Sequence, residues 1–569
     1  MTEPGRFAER FSLWMLGATM CLPFLVPIHA APINTFFPEW AAFVLGLAAT
    51  PLLYAGARPV RWPLTALLPL LLTAVLLVQM AGGRLVYVEA GLSALLYLLW
   101  AMLLMVAAAT LRDRRGLDAV ADHLAAWIVV GALTNAVAAL AAYHGLRSPL
   151  LMPLDGRQAI YGNLAQTNQF CHHLWLGIAS ALYLSARGRL PTWAWVAAYA
   201  ILVPAAAFSG SRAGMLYAVA VAAIAFHWRG LGSPRRVLAV AVAYIACANL
   251  LPLLAGLATE QTPTGRIAAD LAAGGGIRPI LFGIGWDMFL RAPLLGLGFG
   301  SYPRESFRYG LDLPAWNGHG EHAHNLLAQL LGEMGILAAA GLCLAMIYWS
   351  RGIARRRDTP AAAWLAALAA VALIHSMLEY PLWYAHFLGV FAVVLALGDE
   401  GTRGLRLGRT AIAAPVALGA VVAGLLLQDY LALQRLSHPV VAPADSLQVR
   451  LQERSAAMLE LRGNSLLKPY VDTAFLATAM PTGEALEAKA TLCRHNLGFR
   501  PTTPAVFNCA LIYELAGRRE EAVKLWRQAR RASPELLQEH VEMLTKVLDR
   551  KDAERLHPFI EQMAQEPLL

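Results

Sequence analysis

Residues 62–81 read Trp-Pro-Leu-Thr-Ala-Leu-Leu-Pro-Leu-Leu-Leu-Thr-Ala-Val-Leu-Leu-Val-Gln-Met-Ala, and none of them carries a charge. A helix of about 20 apolar residues is long enough to cross the hydrocarbon core of a bilayer. The chain contains twelve further stretches of this kind, at 12–30, 38–56, 87–108, 118–143, 167–186, 192–208, 212–228, 236–257, 325–349, 360–379, 383–398 and 410–428. The pattern therefore predicts an all-α polytopic membrane protein with about 13 transmembrane helices.

The composition leads to the same class. Hydrophobic residues make up 58% of the 569 residues and charged residues only 15%, whereas a soluble domain is about 25% charged. This excludes a soluble enzyme, a secreted disulfide scaffold and a disordered protein as descriptions of the whole chain. The six cysteines include no Cys-x-x-Cys pair, so no metal site is predicted from them.

The arginines predict the orientation. With the N-terminus in the cytoplasm, the short outer loops hold only Arg84, Arg147, Arg157 and Arg212. The cytoplasmic segments hold 19 arginines, at 6, 10, 58, 61, 112, 114, 115, 187, 189, 229, 235, 236, 351, 355, 356, 357, 403, 406 and 409. Positively charged residues favour the cytoplasmic side, which accounts for the net charge of +9 without nucleic acid as a partner.

An odd number of spans places the C-terminus outside. We therefore divide the chain into a transmembrane domain, 1–428, with a large outer loop at 258–324, and a soluble tail, 429–569, which holds all five lysines. Small residues and a glycine between Ala510 and Ala529 indicate two closely packed helices, either a tetratricopeptide-like unit or an ordinary helical hairpin. Cys493 and Cys509 both lie in this tail, where oxidising surroundings permit a disulfide.

Polar groups at the outer ends of the spans are the candidates for chemistry, because ionisable residues at membrane depth are costly. In Gly320–Gly335, His324 is predicted at a helix N-terminus, where it would be a neutral base for an acceptor hydroxyl. Asn325 would orient it. The alternatives are a metal site that includes His319 and His322, or a capped helix with surface histidines.

Three arginines are candidates for binding a diphosphate, which a guanidinium grips by paired hydrogen bonds. Arg212 lies in a glycine-containing connection between two spans. Arg278 and Arg291 lie in the segment 278–300, which ends in the turn Gly-Leu-Gly-Phe-Gly. The alternatives are an arginine that snorkels to the interface and a purely structural turn.

Two more motifs carry polar groups to the same side. In Tyr161–Gln169, the amides of Gln166 and Asn168 would bind sugar hydroxyls or else cap a helix. In His375–Tyr384, Pro381 ends a helix at the outer face, and Glu379 and Tyr380 are the candidate substrate-binding residues.

Together these motifs resemble the O-antigen ligase/polymerase superfamily of bacterial membrane glycosyltransferases. His-Asn-x9-Gly is matched by His324, Asn325 and Gly335, Ser-Arg-Ala-Gly by 211–214, and Arg…Pro-Leu-x-Gly-x-Gly by 278–298. The motifs at 162–168 and 375–384 are similar to those of the protein O-oligosaccharyltransferases, or pilin glycosylation ligases. Thr167 stands where that family usually has proline. The resemblance covers roughly residues 10–530.

The resemblance implies a C-type glycosyltransferase-like, metal-independent enzyme without cofactor in the bacterial inner membrane. Such enzymes transfer a preassembled oligosaccharide en bloc from undecaprenyl diphosphate to Ser or Thr of an exported protein such as pilin, at the periplasmic face. By this analogy His324 would be the base, and Arg212 and Arg278 would stabilise the leaving diphosphate.

Two alternatives remain. An O-antigen ligase or polymerase would use the same donor with a sugar hydroxyl of lipopolysaccharide as acceptor; the tail and the motif at 375–384 argue against it. A transporter of an anionic substrate would need an inverted repeat or a pair of broken helices, which the sequence does not suggest.

Overall fold

The computed structural model describes residues 3–54, 59–154, 159–228, 230–254, 262–272, 276–312, 320–438, 444–478, 481–532 and 550–565. Arg58, Arg157, Arg229 and His319 lie outside these ranges. Regular structure in the described part is helical except for two short strands, β1 (Val60–Trp62) and β2 (Arg403–Leu405). These strands pair antiparallel, with Arg61 opposite Gly404.

The transmembrane domain is a bundle of apolar helices joined by short connections. Up to the outer loop they are α1 (Glu3–Thr19), α2 (Phe36–Ala48), α3 (Pro51–Tyr54), α4 (Leu67–Ala81), α5 (Val88–Arg115), α6 (Leu117–Tyr143), α7 (Thr167–Ala186), α8 (Thr192–Phe208), α9 (Ala213–Trp228) and α10 (Pro234–Leu254). The outer loop contains α11 (Pro263–Ala272), α12 (Arg278–Arg291) and α13 (Tyr302–Asp312). The bundle ends with α14 (Leu326–Arg355), α15 (Pro360–Ser376), α16 (Ala385–Gly398) and α17 (Arg409–Ser437).

Seven helical segments in the described residues are long and apolar enough to cross a membrane, and four further apolar helices are shorter. The all-α polytopic class is therefore confirmed, and the count of thirteen crossings stays a prediction. One predicted boundary is wrong: the first apolar stretch was expected to be helical to residue 30, but α1 ends at Thr19. Pro23 and Pro27 follow, and proline cannot donate the backbone hydrogen bond that a continuing helix needs.

The connections between helices sort into the two groups that the arginine bias predicts. Segments predicted to be cytoplasmic contact one another through pairs such as Arg61–Asp113, Arg187–Asp118 and Arg356–Glu400. Segments predicted to be outside do the same, as in Arg84 with the carbonyl oxygen of Gly296, Lys468 with Glu89, and Arg500 with Glu321. Membrane crossings that alternate along the chain would produce this separation.

The tail is helical and has its own core. Its helices are α18 (Ala444–Asn464), α19 (Lys468–Thr478), α20 (Leu486–Leu497), α21 (Thr503–Leu515), α22 (Arg519–Ala532) and α23 (Arg550–Gln565). The predicted hairpin is α21 and α22, packed through Phe507 and Trp526. Cys493 of α20 and Cys509 of α21 form a disulfide, with their Cα atoms 5.6 Å apart; the sequence had left this open.

Candidate active site

The site is built around the start of α14. Asn325 is the N-cap residue, and its side-chain oxygen accepts hydrogen bonds from the backbone N–H groups of Leu327 and Ala328. His324 precedes this cap with φ 49°, a left-handed conformation that few residues other than glycine adopt. His324 therefore lies at a helix N-terminus, as predicted. The side-chain oxygen of Asn325 caps the helix, and the orienting role of Asn325 stays a prediction.

Glu379 is in contact with the ring of His324. It lies beyond the end of α15, and its Oε2 is 3.1 Å from Nδ1 of His324, with side chains 16% and 28% exposed. A carboxylate can only accept a hydrogen bond, so in the neutral ring Nδ1 carries the proton and Nε2 keeps its lone pair. This is the tautomer that a general base needs.

The same carboxylate connects two further motifs. Its Oε1 accepts a hydrogen bond of 3.1 Å from Nδ2 of Asn168, in the first turn of α7. Oδ1 of Asn168 in turn accepts a hydrogen bond of 2.6 Å from the hydroxyl of Ser211. A continuous chain of polar contacts thus runs Ser211–Asn168–Glu379–His324 and joins four of the five sequence motifs.

Arg278, the first residue of α12, acts on this network through its charge. Burial alone would raise the pKa of Glu379, but the hydrogen bond from His324 and the nearby charges, Arg278 among them, hold the pKa of Glu379 below its usual value. Glu379 is therefore an anion at neutral pH. Arg278 has no ion-pair partner among the described residues, so its guanidinium is available to a ligand.

The other two arginines have partners. Arg212 forms an ion pair with Asp270 of α11, next to Ser211 of the polar chain. Arg291 lies 2.7 Å from the buried carboxylate of Glu305 and 2.9 Å from Asp287. Within the described residues the contacts of Arg291 hold α12 to α13. The roles of Arg212, Arg278 and Arg291 in binding a diphosphate stay predictions.

Gln166 and Tyr380, the other two predicted binding residues, have different surroundings. Gln166 is the N-cap residue of α7, and its side-chain oxygen accepts a hydrogen bond from the N–H of Gln169, which is the capping alternative. The ring of Tyr380 lies 4.0 Å from that of His322 and 5.4 Å, edge to face, from that of His324. The aromatic ring of Tyr380 therefore packs next to the ring of His324. In the described residues no group of three or more His, Cys, Asp or Glu side chains is arranged to hold a metal ion.

The contacts that hold the segment 278–300 against α14 were not predicted from the sequence. Gly335 interrupts α14 with φ 74°, and the N–H of Ile336 there donates to the carbonyl oxygen of Pro293. The fully buried side chain of Gln79 binds both sides of this junction: its nitrogen donates to the carbonyl oxygens of Leu295 and Glu333. A polar residue inside an apolar span was the signal that would have found Gln79.

Three family models match parts of the chain. One described as "O-Antigen ligase" matches residues 197–343, and one described as "Protein glycosylation ligase" matches 160–184, which includes Asn168. The general O-oligosaccharyltransferase of Acinetobacter baylyi is 25% identical over 446 residues, 74% of this chain and 76% of that protein. Over these regions the chain is similar to the O-antigen ligase superfamily. The predicted resemblance is confirmed, and the candidate motifs fall within the matched regions or beside them.

The third match corrects one inference. A model described as "Virulence factor membrane-bound polymerase, C-terminal" matches residues 363–546, a range that contains Glu379, Tyr380 and most of the tail. The tail and the motif at 375–384 are therefore not features that argue against a polymerase. The support for a protein acceptor is therefore the motif at 162–168, inside the match at 160–184, and the similarity to the A. baylyi relative.

Proposed function

We propose that this chain is a protein O-oligosaccharyltransferase. It would transfer a preassembled oligosaccharide from undecaprenyl diphosphate to Ser or Thr hydroxyls of exported, pilin-like proteins at the periplasmic face of the inner membrane. The observation that carries the proposal is the hydrogen-bonded chain from Ser211 to His324, which ends in an imidazole whose free nitrogen is a base. The similarity to the general O-oligosaccharyltransferase of A. baylyi supports the choice of acceptor.

In the proposed reaction His324 acts as the general base. Nε2 takes the proton of the acceptor hydroxyl while the hydroxyl oxygen attacks the anomeric carbon of the glycan. The bond from that carbon to the diphosphate oxygen breaks, and the lipid diphosphate leaves with the electron pair. Glu379 stabilises the imidazolium that forms, and the proton then passes to water.

The negative charge that develops on the diphosphate needs cations. The guanidinium of Arg278 has no ion-pair partner among the described residues, and Arg212 is balanced by Asp270, a half-exposed partner that a diphosphate of higher charge would displace. Two arginines would then neutralise the leaving group, and the proposed mechanism includes no divalent metal. Treatment with a chelator should leave transfer unchanged, and inhibition that added metal reverses would contradict this part.

The periplasmic location has two supports. The arginine bias favours a cytoplasmic N-terminus, and with the predicted number of spans the site and the tail would both be on the opposite side. The tail also contains the Cys493–Cys509 disulfide. Disulfides persist in oxidising compartments such as the periplasm. A periplasm-specific reporter fused after Leu569 should therefore be active; activity only of a cytoplasmic reporter would contradict this topology.

The test of function is transfer of glycan from a purified lipid-diphosphate donor to a pilin-like protein in detergent. His324→Ala should lower the rate by about 10²–10⁴-fold, the contribution of a general base. His227→Ala is the matched control, because His227 is exposed at the end of α9. Transfer to a lipopolysaccharide sugar, with none to protein, would favour the ligase or polymerase alternative that the match at 363–546 keeps open.

A further inference from the structure

The soluble tail reaches the segment that carries the base. Arg500, which follows α20, lies with its Nε 3.0 Å from Oε1 of Glu321, three residues before His324. The charge of Arg500 also acts on His322 and Tyr380. A residue of the tail is thus an immediate neighbour of the catalytic segment.

His324 depends on such neighbours for its conformation. A left-handed backbone at a residue other than glycine is strained, and it persists only where the surrounding contacts determine it. On the C-terminal side the Asn325 cap fixes the chain. On the N-terminal side three contacts fix it: the Glu321–Arg500 ion pair, the His322 ring against Tyr380, and the hydrogen bond of 2.7 Å from the N–H of Ala323 to Gln329.

The tail, which carries Arg500, is attached to the transmembrane domain by further contacts. The hydroxyl of Tyr87 donates a buried hydrogen bond of 2.9 Å to Asp472, and Lys468 lies 3.0 Å from Glu89. Phe307 of α13 is 4% exposed and belongs to the core of the tail. These contacts hold the tail to the transmembrane domain, so the tail presents the guanidinium of Arg500 at a determined place.

We propose that Arg500 is a positioning residue for the base, and that the tail is therefore a component of the catalytic centre. Arg500 acts through Glu321 to keep the segment 321–324 in the conformation that points His324 at the acceptor. The kinetic test of this inference rests on the proposed function, because it measures transfer. The structural test does not depend on the proposed function.

The kinetic test compares Arg500→Ala, Glu321→Ala and the charge-reversed pair Arg500→Glu/Glu321→Arg. Because the two side chains are 36% and 50% exposed, loss of their ion pair should lower kcat by about three- to fivefold. The KM values for donor and acceptor should stay within twofold, and the charge-reversed pair should recover most of the loss. Arg518→Ala is the control, since Arg518 pairs with Glu521 inside the tail.

The structural test measures hydrogen exchange of residues 320–326 in the purified, resting protein. Arg500→Ala should raise exchange in this segment, and the charge-reversed pair should lower it again. Unchanged exchange and kcat would overturn the proposal, as would a raised acceptor KM with unchanged kcat, which would make Arg500 an acceptor-binding residue. Absence of transfer to protein by the wild type would refute the proposed function alone, because the exchange measurement would still decide the role of Arg500.

Discussion

Glu379→Gln tests the central interaction of the site with almost no change in shape. In the native protein the carboxylate accepts from His324 through one oxygen and from Asn168 through the other. A glutamine amide has one acceptor oxygen and one NH₂ group. If the NH₂ group faces His324, Nδ1 must become the acceptor and the proton moves to Nε2, which removes the base. If it faces Asn168, the tautomer survives but the negative charge is lost.

The magnitude follows from the loss of the carboxylate charge next to the imidazolium of His324. Two unit charges about 4 Å apart interact by about 4 kcal/mol at an effective dielectric constant of about 20. His324 is 28% exposed, so solvent screening lowers this, and we take about 2–4 kcal/mol. Since about 1.4 kcal/mol corresponds to a factor of ten, kcat should fall by about 30- to 1,000-fold.

The assay is the initial rate of transfer from lipid-linked donor to a purified acceptor protein, with donor and acceptor both saturating. Glu379→Asp, which keeps the charge on a shorter side chain, should be intermediate. Glu521→Gln removes a carboxylate inside the tail, where its partner is Arg518, and should remain close to wild type. A loss of less than fivefold in Glu379→Gln would show that the His324–Glu379 pair is not the base system.

Further variants test the surroundings of this pair. Arg278→Ala should lower kcat by about 10²–10³-fold, the usual cost of one group that stabilises transition-state charge, and the same donor assay measures it. Gly335→Ala should prevent folding or activity, because a Cβ there would lie 2.4 Å from a neighbouring backbone carbonyl, whereas Gly424→Ala, with open space around it, should be tolerated in thermal unfolding. Burial alone would raise the pKa of Glu305, but Arg291 holds that pKa below the ordinary 4.5, so the stabilisation is complete above about pH 4.5 and is lost as the pH falls below it. Glu305→Gln should therefore unfold at a lower temperature than wild type at pH 7, and the difference should disappear in acid.

The membrane class and the predicted sides of the connecting segments follow from local sequence. Hydrophobic length decides whether a segment can enter the bilayer, and the arginines beside each span decide its direction; both properties are carried by neighbouring residues. His324 was also predicted at its helix N-terminus for a local reason. The sequence did not decide between a cap and a ligand for Asn325 and Gln166, because the same side-chain oxygen serves either purpose.

The partners of the base were decided only by tertiary structure. Asn168, Ser211 and Glu379 come from three segments far apart in the chain; Asn168 and Glu379 are separated by 211 positions. They meet because the ends of α7, α9 and α15 pack next to one another. The junction of Gly335 with Pro293 and the approach of Arg500 to Glu321 arise in the same way. Each of these contacts depends on how whole helices pack against one another, and that packing is a property of their combined surfaces rather than of any motif.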